Sequence, residues 1–167
     1  MDKLESGFVA ANRWVLIILL AVMAALVIAN VISRYAFGHS FSWVEEVTRY
    51  MMIWAAFLGA GPALRVGGHI AVDTLPGMLP RRGAVVLRAR VMATVAPTLG
   101  VLLVLGVEYA RFGWEQESPV LTMSLGKVYL AIPVGAGLML VHLALVARRY
   151  VRSGEWEQIE GFDPQAL

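Results

Sequence analysis

Residues 14–33 read "WVLIILLAVMAALVIANVIS", twenty positions without one ionisable side chain. A hydrocarbon core of about 30 Å needs roughly 20 apolar residues in a helix, so this run predicts a membrane span. Lys3 and Arg13 precede it, as basic residues precede the core of a secretory signal. The run is longer than a usual signal core, and no small-x-small cleavage pattern follows it. A retained first span is therefore expected.

Outward from that run, three more candidates follow. "YMMIWAAFLGAGPAL" (50–64) is too short to cross by itself. Its helix must begin near Ser42 or Trp43 and carry Glu45, Glu46 and Arg49 in its first turns. "VMATVAPTLGVLLVLGV" (91–107) extends at both ends, and "VYLAIPVGAGLMLVHLALVA" (128–147) is bracketed by Lys127 and by Arg148 and Arg149. The expected fold class is an all-α integral membrane protein with four transmembrane helices, at about 14–33, 43–64, 87–110 and 128–148. One membrane domain covers 1–167, with a polar tail at 151–167. The 67–82 connection, "GGHIAVDTLPGMLPRR", has Asp73 or Thr74 to cap a helix and Pro76 for its first turn. It is expected to be a short amphipathic segment at the interface.

Composition agrees with the membrane. Of the 167 residues 59% are hydrophobic and 16% charged, against about 45–50% and about 25% in soluble domains. The absence of cysteine excludes disulfides and thiolate catalysis, and a net charge of +2 is too small to argue for nucleic acid. Ten of the fourteen Lys and Arg residues fall on the side of the N-terminus, the 65–90 connection and the tail. Only Arg34, Arg49, Arg111 and Lys127 fall on the other. The positive-inside rule then puts both termini in the cytoplasm.

The stretch "RYAFGHSFSWVEEVTRYMMIW" (34–54) concentrates charge where charge is expensive. On a helix, Glu45 and Arg49 are i,i+4 and Glu46 and Arg49 are i,i+3, so both pairs can meet. Three readings stay open: a structural charge cluster, a proton or cation site, or a surface touched by a soluble partner. His69 and Asp73 could share a face, but two ligands do not make a metal site. His142 and Asn30 are expected to hydrogen-bond neighbouring helices. Ala21, Ala25 and Ala29, then Ala55, Gly59 and Ala63, and Ala131 and Gly135 form small-residue ridges. These would pack inside the bundle or dock another protein. No nucleophile–base pair is present and "HEXXH" is absent, so no enzyme, cofactor or metal is expected.

Asn30 to Ala60, "NVISRYAFGHSFSWVEEVTRYMMIWAAFLGA", resembles the signature of the small membrane subunit, DctQ type, of tripartite ATP-independent periplasmic (TRAP) transporters. The matching positions are Asn30, Val31, Arg34, Tyr35, Phe37, Trp43, Glu45, Glu46, Arg49, Trp54 and Gly59. "RVGGHIAVDTLPGMLP", with His69 and Asp73, is similar to that family's cytoplasmic connection. "ESPVLTMSLGKVYLAIPVG" is similar to its outer loop and last span. The resemblance implies four spans in a bacterial inner membrane with both termini cytoplasmic. It implies a large multi-span subunit that carries the substrate and sodium sites and moves as an elevator, and a periplasmic binding protein that delivers an organic acid. The small subunit would widen the fixed scaffold. Asn30, Arg34, Tyr35, Trp43, Glu45, Glu46, Arg49, Trp54, Gly59, His69 and Asp73 become the candidate structural or partner-contact residues. The alternative from another class is an autonomous small oligomeric channel or proton-coupled carrier using Glu45 or Glu46.

Overall fold

A computed structural model describes residues 3–65 and 79–153. The expected interfacial segment, with His69 and Asp73, and the polar tail beyond 153 lie outside the described residues. Every regular element among them is a helix, with one isolated bridge, Glu117 to Ser124, and no strand. The elements are α1 (Lys3–Phe37), α2 (Ser42–Arg65), α3 (Arg81–Phe112), a 3₁₀ turn (Gly113–Glu115), α4 (Gly126–Tyr129) and α5 (Ala131–Ser153).

Each long helix outruns its apolar stretch. α1 begins at Lys3, not at 14, and its 35 residues measure about 52 Å at 1.5 Å per residue. The preceding "KLESGFVAANR" is rich in residues that tolerate a helix, so nothing breaks the turn at the edge of the apolar run. α1 ends where Gly38 takes φ +67, the left-handed conformation of a helix C-cap. The Gly38 N–H donates to Arg34 O at 3.1 Å, and Ser33 Oγ to His39 O at 2.8 Å. α3 starts directly after Pro80, which sits extended at ψ 151, and so gains a turn and a half before 87. α5 is split from α4 at Leu130, because Pro133 has no N–H to return to Tyr129.

The helices stack in the order α1, α2, α5, α3: α1 rests on α2, α2 on α5, and α3 on α5. The α1 seam is Asn12, Leu16, Leu19, Met23, Leu26 and Asn30, all at least partly buried. Its spacing alternates four and three, the pattern of helices crossing at a shallow left-handed angle. Ala21, Ala25 and Ala29 lie off that seam and are exposed. The core fills the α2/α3/α5 junction with Leu64, Met92, Leu99, Met139, Leu143, Val146 and Tyr150.

Three helices among the described residues are long and apolar enough to cross a membrane: Glu5–Phe37, Arg81–Glu115 and Gly126–Arg152. α2 is long enough, with 24 residues or about 36 Å, but Glu45, Glu46 and Arg49 dilute its first turns. Contact between α2 and α5 depends on missing side chains. A Cβ on Gly135 would lie 2.6 Å from Phe57 Cβ and 2.8 Å from Phe57 O, and one on Gly61 would lie 2.5 Å from the His142 ring.

Gly135→Ala should therefore lower stability by about 1–3 kcal/mol through overpacking. Gly100→Ala, with nothing within 4 Å of the added atom, should be neutral or stabilising by about 0.5–1 kcal/mol. Thermal unfolding of the purified variants checks this. Equal midpoints for both would mean that α2 and α5 do not approach so closely.

Candidate functional site

Every polar residue of the 30–46 stretch that becomes buried is used to tie the chain to itself. Asn30, 7% exposed, accepts the Phe41 N–H on Oδ1 at 2.7 Å. It thus fixes the turn between α1 and α2, where an interhelical bond had been expected. Arg34 Nη2 donates to Glu45 Oε1 at 2.7 Å across that same turn. Both side chains are about half exposed, so solvent screening limits the pair to about 0–1 kcal/mol.

Glu46 is different. It is only 4% exposed and is held by hydrogen bonds from three donors. Tyr50 donates its hydroxyl to Oε1 at 2.7 Å. The Val120 and Leu121 N–H groups donate to Oε2 at 2.9 and 3.3 Å. A buried carboxylate accepts only, and these donors replace the water it has lost.

The turn that Glu46 grips belongs to the loop between α3 and α4. Ser118 N–H donates to Met123 O at 2.9 Å, Thr122 N–H to Ser118 O at 3.1 Å, and Leu125 N–H to Gln116 O at 2.8 Å. Thr122 sits at φ +49, a left-handed conformation that a β-branched residue adopts only when its surroundings impose it. The Glu46 carboxylate beside Val120 and Leu121 is part of that imposition.

The sequence expectation of a Glu45–Glu46–Arg49 cluster is corrected here. Glu45 turns back to Arg34, Glu46 turns to the 118–121 backbone, and Arg49 is exposed. A helix places i,i+4 side chains within reach of each other but does not oblige them to meet when better-fixed donors lie opposite. Tyr35 and Trp43 are exposed, at 84% and 42%, near Phe37 and Phe41, so this end presents an aromatic rim. Trp54 and Gly59 lie further down α2 and are partly buried; Gly59 faces Leu16 of α1.

A second polar knot ties the opposite end. Asn12 Nδ2 donates to Leu58 O at 3.3 Å and lies 3.3 Å from His142 Nε2. That contact joins α1, α2 and α5, with Phe8 packed 4.9 Å from the His142 ring. Arg65, 2% exposed, pairs with Glu5. His142 thus bonds a neighbouring helix as expected. Asn12, Glu5 and Arg65 were not anticipated as partners. The signal for Asn12 was a polar residue on an otherwise apolar 12–16–19–23 seam. No group of three or more His, Cys, Asp or Glu side chains among the described residues could hold a metal.

Compared with known proteins, residues 10–153 match the family model described as tripartite ATP-independent periplasmic transporters, DctQ component. The chain is 43% identical over 70 residues to a putative TRAP transporter small permease protein of Haemophilus influenzae, covering 42% of this chain and 44% of that one. It is 32% identical to the C4-dicarboxylate TRAP transporter small permease protein DctQ of Rhodobacter capsulatus, covering 71% and 53%. It is 30% identical to the ectoine TRAP transporter small permease protein TeaB of Halomonas elongata, covering 68% and 60%. The matched segment thus spans roughly half the length of these relatives.

Removing the Glu46 carboxylate should free the outer turn. In Glu46→Leu, amide hydrogen exchange at Val120 and Leu121 should quicken by about tenfold or more through local opening. Arg34→Gln should leave those two amides unchanged. Equal protection in Glu46→Leu and the parent would show that the loop holds itself.

Proposed function

The chain belongs to the DctQ family of tripartite ATP-independent periplasmic transporter components, and from that premise we propose that it is the small scaffold subunit of a sodium-coupled, binding-protein-dependent importer of organic acids. It is a membrane transporter component and not an enzyme. In this reading all four long helices cross a bacterial inner membrane, α2 included, with both termini in the cytoplasm. The large multi-span subunit carries solute and cation, and this chain widens the fixed frame against which that subunit moves.

One observation carries the reading. Ionisable groups that a small carrier could use are committed to holding the fold: Glu45 to Arg34, Glu46 to the 118–121 turn, Arg65 to Glu5 and His142 to Asn12. None of them lines the groove formed by Ala56, Phe57, Ala60, Leu64, Val95, Leu99 and Met139, all of them apolar residues. A carrier needs ionisable groups facing a cavity or one another at depth. Glu46 facing the turn therefore argues against the proton-coupled alternative.

The outer faces support a partner in the membrane. α1 exposes Ile17, Ile18, Val22, Ile28 and Ile32 together with the Ala21–Ala25–Ala29 ridge, a surface over which another helix can approach closely. The Tyr35, Phe37, Phe41 and Trp43 rim and the braced 113–125 loop make a firm outer platform for a periplasmic binding protein. The names of the relatives mention C4-dicarboxylate and ectoine; a small charged organic solute delivered by the binding protein fits here too.

Extraction of the tagged chain from its own membranes in mild detergent is the test. One large multi-span subunit should accompany it at one-to-one. Recovery of this chain alone, or only with copies of itself, would overturn the scaffold reading.

A further inference from the structure

A groove runs between α2 and α3, floored by α5. It encloses about 350 Å³. Along α2 it runs from Ala56 to Leu64, a rise of about 12 Å. Its walls, from Ala56 and Phe57 to Val95 and Met139, carry no polar side chain.

Basic residues stand beyond one end of the groove. Val95 and Leu99 share a stripe of α3 with Met92 and Arg88, at spacings of four, three and four. Arg88 therefore stands about 10 Å beyond Val95 along the axis. Its guanidinium carbon lies 5.9 Å from the centre of the Tyr150 ring, and its Nε is buried with no hydrogen-bond partner among the described residues. Arg81, Arg82, Arg90, Arg148 and Arg152 stand exposed at the same ends of α3 and α5. An apolar groove with a cation about 10 Å beyond it along α3 suits an amphiphile with a hydrocarbon tail and an anionic head. A guanidinium donates well to phosphate oxygens, and basic pockets between membrane helices take anionic headgroups.

We infer that this groove seats one acyl chain of an anionic phospholipid, with the lipid phosphate on Arg88. The inference rests on the membrane setting alone and holds whichever subunit accompanies the chain.

Native mass spectrometry of the full-length chain, purified with its membrane partners, tests it with added phosphatidylglycerol or phosphatidylcholine. The parent should retain phosphatidylglycerol over phosphatidylcholine by about fivefold or more, the ratio that one arginine near the surface is worth. Arg88→Gln should abolish that preference. Ala56→Phe, which fills the groove from an exposed position, should abolish retention of the lipid. Arg81→Gln should keep the preference, which separates Arg88 from general surface charge. Glycerol phosphate in excess should not displace the lipid, because it lacks the chain. Equal retention of the two lipids by the parent, or retention untouched by both Arg88→Gln and Ala56→Phe, would overturn the inference. Displacement by glycerol phosphate would overturn it too. So would an Ala56→Phe variant that sheds the large subunit while keeping its lipid, since the groove would then hold a partner helix.

Discussion

A buried carboxylate must be supplied with donors, and that demand on Glu46 organises the end of the molecule where α1 turns into α2. Its partners come from its own helix, through Tyr50, and from a loop 74 residues further along, through the Val120 N–H. The loop, in turn, is held in a shape that puts Thr122 at φ +49. Neither side is comfortable alone. A carboxylate out of water without donors is costly, and so is a β-branched residue in the left-handed region. Together they make a closed arrangement that links α2 to the α3–α4 connection at the end where the chain carries its exposed aromatics.

The other end repeats the logic with different chemistry. Asn12 and His142 join α1 to α5 across the α2 backbone, and Arg65 reaches Glu5. Between these two polar knots the helices meet through apolar and small side chains. In hydrocarbon such contacts give close packing, while hydrogen bonds across helices add about 0.6–2 kcal/mol each. Polar ties at both ends and apolar packing between them are what the proposed scaffold role would require.

Much of this was legible in the residues and some was not. The apolar runs at 14–33, 91–107 and 128–147 lie inside helices long and apolar enough to cross a membrane, because chain length and hydropathy are local properties. The start of α2 near Ser42 was legible for the same reason: a fifteen-residue run must borrow turns from its flank. Helix ends were read short, since apolar patterning marks the hydrocarbon and not the point where a helix stops. The partners of Glu45 and Glu46 were misread. Sequence spacing offered Arg49 to both, whereas the winning donors are Arg34 across a turn and two backbone amides of a distant loop. Those are fixed by topology, which spacing does not encode. Asn12 was overlooked because an amide beside Arg13 looks like part of a polar flank until the α1 seam is drawn.

The central claim is that Glu45 and Glu46 hold structure and do not carry cations. The most direct measurement is the cation-to-solute stoichiometry of uptake in proteoliposomes holding the complete transporter, with its binding protein and with Glu45→Gln and Glu46→Gln introduced one at a time. The account predicts an unchanged stoichiometry in every assembly that forms, whatever happens to its rate or yield. A changed stoichiometry in an intact assembly carrying either variant would contradict it and would make that carboxylate a transport residue.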